Sequence, residues 1–119
     1  MQFVMLIYQG TTPLPNTAEW DALSSEEQKE IYADYAAINR TPGLEPGLPL
    51  GLPEAATTVR VRDGATVTTD GPVAGSQHAV GGYLVFEADD AKAAIELAAR
   101  IPAARLGGAV EVRPVATYW

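Results

Sequence analysis

Six apolar residues in succession, Phe3-Val4-Met5-Leu6-Ile7-Tyr8, constrain the fold of this chain more than any other feature. The run is too short for a typical free-standing helix and lacks the polar alternation of a half-exposed strand, so it predicts a central strand covered on both faces. Such a strand needs paired neighbours and a covering layer. With 119 residues, a single hydrophobic core and one domain spanning residues 1–119 are expected.

The supporting elements follow in order. Ser24 and Glu27 stand in the S-x-x-E spacing in which each side chain satisfies the other's backbone amide, so a helix starts there. Ile31, Tyr35 and Ile38 give it one apolar stripe, with Glu26, Glu30 and Asp34 toward solvent. The Pro- and Gly-rich stretch 41–53 cannot continue a helix and supplies at most a short edge strand. From Thr58, Val59 and Val61 alternate with arginines, and Asp63-Gly64 is the turn pair of a two-residue hairpin returning through Ala65 to Thr69. Gly82 to Glu87 reads as a strand. Asp89 and Asp90 offer caps to a helix over Ala91–Arg100 with a buried stripe of Ala94, Ile95, Ala98 and Ile101, and Ala109 to Val115 alternates as a last strand. This order predicts an α+β fold, a ferredoxin-like βαββαβ two-layer sandwich with both helices on one face. The uncovered sheet face predicts a homodimer.

Charge and composition exclude several functions. A net charge of −7 with scattered basic residues disfavours nucleic acid. No apolar run reaches the ~18 residues of a membrane span, and the chain starts as a strand rather than a signal peptide, so a cytoplasmic location is expected. The absence of cysteine removes thiolate metal sites and thiol nucleophiles, and one histidine removes His-rich metal sites, so no cofactor or structural metal is expected. A carboxylate-only magnesium or calcium site stays open.

Candidate chemistry centres on Asp70 and His78. Asp70 opens an Asp-Gly-Pro turn, where a carboxylate can serve its own backbone, and it can equally act as a general base or orient His78. His78 is the single histidine and hence the natural proton carrier, or else an exposed polar loop residue. Ser76 adds the third name of a hydrolase triad, but without a nucleophile elbow it is at most a substrate contact. Tyr8 and Tyr83, with Trp20, Tyr118 and Trp119, are aromatic groups suited to lining an apolar pocket, the terminal pair by covering a cleft or docking on a second subunit. Gly81-Gly82 lacks the context of a dinucleotide loop and reads as close strand packing.

Val59-Arg60-Val61-Arg62-Asp63-Gly64, Thr69-Asp70-Gly71-Pro72, Gly81-Gly82-Tyr83, Ala98-Ala99-Arg100-Ile101-Pro102 and Val110-Glu111-Val112-Arg113-Pro114 recur in order as motifs of a known family. Through them the chain resembles the YCII-related family, specifically its DGPF branch. The resemblance implies a ferredoxin-like fold of the dimeric α/β-barrel type, with a candidate site in the cleft beside the sheet; some relatives are proposed to be small-molecule enzymes using a His–Asp pair, whose His stands nearer the first helix, where this chain has none, so that pair does not transfer. This chain departs from the branch's D-G-P-F-A-E-T-K-E pattern with Val73, Gly75, Gln77 and His78, so the roles of the usual Glu and Lys do not transfer.

Two functions are expected. In the first, the chain is a cofactor-independent small-molecule enzyme of lyase or isomerase type, with His78 moving a proton and Asp70 fixing its tautomer in a shared cleft. In the second, it is a non-catalytic dimeric module that binds a ligand or a protein.

Overall fold

A computed structural model describes residues 1–75 and 78–118. Strand β1 (Gln2–Tyr8) leads through a short helix α1 (Ala18–Asp21) into α2 (Ser25–Asn39) and the edge strand β2 (Leu44–Pro46). A hairpin of β3 (Thr57–Arg62) and β4 (Ala65–Asp70) follows, then β5 (Val80–Glu87), α3 (Ala91–Ala98) and β6 (Ala109–Pro114). The main sheet has the order β2-β5-β1-β6 with antiparallel neighbours. With the hairpin set aside, this is the βαββαβ arrangement of a ferredoxin-like α+β fold.

β1 lies between β5 and β6, as its apolar run requires, but the two faces of the sheet are unequal. Phe3, Met5 and Ile7 are buried, whereas Val4, Leu6 and Tyr8 are half-buried. The core unites the first set with Leu84 and Phe86 of β5, Ile38 of α2, and Ala94, Leu97, Ala98 and Ile101 around α3. Both long helices thus serve one face, leaving the alternate residues of β1 with partial cover.

The start of α2 follows from its capping box: the Glu27 amide donates to Ser24 Oγ at 3.1 Å, and the Ser24 amide donates to Glu27 Oε1 at 3.1 Å. The Ser24 amide, and after it the Ser24 hydroxyl, holds the Glu27 carboxyl below its ordinary value. Ser24→Ala is expected to lower the unfolding free energy by about 1 kcal/mol, read by urea denaturation at neutral pH. Because the folded-state value is depressed, Glu27 contributes its stability above the ordinary carboxyl range and loses it as pH falls, so the difference between native and variant should shrink in acid.

Helix α3 departs from expectation at one position of its stripe. Asp90 caps it through Ala93 N–H at 2.9 Å, but the buried stripe is Ala94, Leu97, Ala98 and Ile101, while Ile95 is 58% exposed. The i, i+3, i+4, i+7 spacing that begins at Ala94 places Leu97 inward and turns Ile95 a quarter-turn away.

The hairpin requires the larger correction. Asp63 and Gly64 both have positive φ, and Arg62 pairs with Ala65, so the turn is of the expected two-residue kind. Its strands nevertheless form a separate two-stranded sheet, and the second strand of the main sheet is β2, from within the Pro/Gly-rich stretch. Residues 59–70 are all exposed; only Thr58 at the root is buried, its hydroxyl donating to Gly71 O at 2.8 Å. The hairpin therefore projects from the body, and the radius of gyration, 16.1 Å, exceeds the roughly 13.5 Å of a compact chain of this length. Among the described residues, no helix is long and apolar enough to cross a membrane.

Candidate functional site

The edge of the main sheet beside β5 is unusually built. Beyond β2 the chain stays against β5, with Gly47 N–H donating to Tyr83 O and Leu50 N–H to Gly81 O, each at 3.0 Å. The segment 46–53 thus forms a wall of alternating leucines and prolines, and Leu48, Leu50 and Leu52 remain largely exposed. Between this wall, α2 and the first half of β5 lies a cavity of about 560 Å³. Its other sides are Ile7 and Gln9 at the end of β1, Leu14 to Asn16 in the following loop, and Tyr35 and Asn39 of α2.

Two adjacent glycines shape the floor. The pairing of β1 with β5 shifts between Ile7 and Tyr8, so that Gly82 faces Ile7 and Val80 faces Tyr8, leaving Gly81 as the extra residue of a bulge. A side chain at Gly81 would run into Gln9, whose Cδ lies 2.8 Å from the position of a Cβ. At Gly82 the nearest atoms to a Cβ are Leu48 O at 3.9 Å and Ile7 Cδ1 at 4.0 Å. Gly81 therefore admits the Gln9 side chain, while Gly82 leaves space that becomes part of the cavity.

The polar groups of the lining are few and uncharged. Gln9 Oε1 is buried without a hydrogen-bond partner. Burial pushes the Tyr35 phenol upward, so it stays protonated through the neutral range. Asn16, Asn39 and the phenol of Tyr83 complete the set, and no Asp, Glu, Lys, Arg or His lines the cavity among the described residues.

Of the residues singled out in the sequence, Tyr83 lines this cavity and Tyr8 does not. Asp70 ends β4 opposite Thr57 and is exposed; His78 is exposed too, its backbone N–H donating to Gly75 O at 3.2 Å. Neither lines the cavity, and no hydrogen bond joins their side chains among the described residues. Ser76 and Trp119 lie outside the described residues. Trp20 is buried in an edge-to-face contact with Tyr32 at 5.2 Å between ring centroids, and Tyr118 is exposed. Among the described residues, no three His, Cys, Asp or Glu side chains gather to hold a metal ion.

The groups that the sequence reading passed over are Gln9, Tyr35 and Asn39. Tyr35 packs against the core as the stripe of α2 predicts and lines the cavity as well, a second role that i, i+4 spacing does not reveal. Gln9 carried a usable signal, as an amide directly after six apolar residues on a central strand.

Comparison with known proteins agrees with the motifs in the sequence. The family model for the YCII-related domain matches residues 1–118, and the chain belongs to that family. Among curated proteins, none matches it.

Proposed function

Starting from that membership, we propose that the chain binds a small organic molecule in the cavity between α2, the first half of β5 and the segment 46–53. The observation that carries this reading is the cavity itself: about 560 Å³, walled by leucines and prolines, with a few convergent polar side chains. Binding sites for small molecules commonly have this size and composition. The test is a fragment screen read by amide chemical shifts. Hits should perturb Gly82, Tyr35 and Gln9 together; hits confined to other surfaces, or none, would sink the proposal.

A second reading keeps proton transfer by His78, without the Asp70 contact, beside the site. It is favoured by one observation: His78 directly precedes Ala79, which lines the cavity. A hit converted by the native protein and left intact by His78→Ala, with binding unchanged, supports this reading; turnover retained in His78→Ala removes it.

A second copy of the chain is the proposed occupant of the sheet face opposite the helices. Val4, Leu6 and Val85 form its half-buried apolar strip, and Arg113 and Glu111 stand beside Val4 and Leu6 on β6. Under a two-fold axis these opposite charges can pair reciprocally across the interface. Arg113→Glu is expected to weaken association by about tenfold in sedimentation velocity, and adding Glu111→Arg to restore it. Equal association by all three proteins would overturn the interface.

A further inference from the structure

The chemistry of the lining narrows the ligand, an inference that rests on the binding reading above. We propose that the cavity selects an uncharged molecule carrying a hydroxyl group, a phenol or an alcohol, and rejects carboxylates and phosphates.

Rejection of anions follows from what the walls can offer. No basic side chain lines the cavity among the described residues, and the net charge of −7 disfavours the approach of a second negative group. Much of the wall's backbone also lacks an amide to give. Pro46, Pro49 and Pro53 have no N–H, and the amides of Gly47 and Leu50 already donate to β5. A carboxylate moved here from water would leave its charge unpaired, a cost that neutral polar neighbours do not offset.

Selection of a hydroxyl follows from Gln9. Gln9 lines the cavity, but its Oε1 is itself shielded from solvent and has no partner, a state that native proteins seldom leave uncompensated, so the carboxamide must turn before that oxygen meets a ligand. The carboxamide can present its oxygen or, turned over, its NH2, and a hydroxyl answers either because it both donates and accepts. A ketone answers only the second and a hydrocarbon neither. Tyr35, kept protonated by burial, is a further neutral donor on the same lining. Gly81 is part of the device, since a side chain there would displace Gln9.

Three probes that share the ethylphenyl group test this: 4-ethylphenol, ethylbenzene and 4-ethylbenzoate, titrated into the native protein with amide shifts as the readout. The phenol is expected to bind about tenfold more tightly than the hydrocarbon, and the benzoate weakest of the three. In Gln9→Leu the preference for phenol over hydrocarbon should vanish while ethylbenzene still binds; Gln9→Met provides the same comparison if the leucine variant does not fold. Equal binding of phenol and ethylbenzene to the native protein, or tightest binding of the benzoate, overturns the hydroxyl proposal and leaves the cavity as a binding site. Failure of all three to shift Gly82 and Tyr35 overturns the cavity reading and this proposal together.

Discussion

Phe3→Ala is expected to lower the unfolding free energy by about 3–5 kcal/mol, whereas Val61→Ala should change it by no more than about 0.5 kcal/mol. Both residues sit in regular strands, so strand propensity does not separate them. Phe3 is 2% exposed and pairs with Phe86 and Pro114 on the core face, where alanine leaves a cavity that the two neighbouring strands cannot close. Val61 is 69% exposed on the projecting hairpin, and its truncation removes little contact. For a chain of this length, total stability is of order 6–18 kcal/mol, so the first substitution takes a large share of it. Urea denaturation at two protein concentrations checks both values. A cost for Val61→Ala that rises with concentration would show the hairpin buried against another copy.

The same contrast explains which parts of the fold were legible. β1, the capping box of α2, the Asp63-Gly64 turn and the Asp90 cap depend on neighbours within a few residues, and the local pattern determined each. The fate of the hairpin did not. Val59 and Val61 alternate as well as Val110 and Val112 do, yet only the second pair packs against the core. Alternation reports that a strand has two unlike faces, and it does not report which sheet receives them. β2 was correspondingly faint: three residues, one of them proline, tolerated because it lies at an edge and the chain beyond it bonds to β5 through Gly47 and Leu50.

For the site, the sequence reading favoured residues with titratable chemistry, Asp70 and His78, and these stand at exposed positions. Among the described residues the cavity has no charged lining group, so a search for unusual acids and bases passes over it. Tyr83 entered as an aromatic suited to a pocket, and it does line one. What identifies the site physically is subtraction: prolines that cannot donate, glycines without side chains and one amide oxygen without a partner. Such features carry meaning only once the walls are assembled.

Gly82→Val is expected to separate stability from binding, because the two effects have opposite signs. Gly82 lies within β5 opposite Ile7, with its nearest non-local atoms at ordinary van der Waals distance from a Cβ. Valine there suits a strand, removes the flexibility that glycine has in the unfolded chain and buries apolar surface against Ile7. A gain of about 1–2 kcal/mol in unfolding free energy is expected. The same methyl groups occupy the cavity floor, so ligand affinity should fall by about a hundredfold, a loss consistent with occluding a pocket of this size. Gly81→Ala is the control, since its Cβ meets the Gln9 side chain and should cost stability by about 1–3 kcal/mol. A stabilised Gly82→Val that still binds as tightly as the native protein would place the ligand elsewhere. A destabilised one would mean that Gly82 serves close packing, as its sequence first suggested. A more stable protein that no longer binds would show that the missing side chain is kept for the ligand, at the expense of stability the fold could otherwise have had.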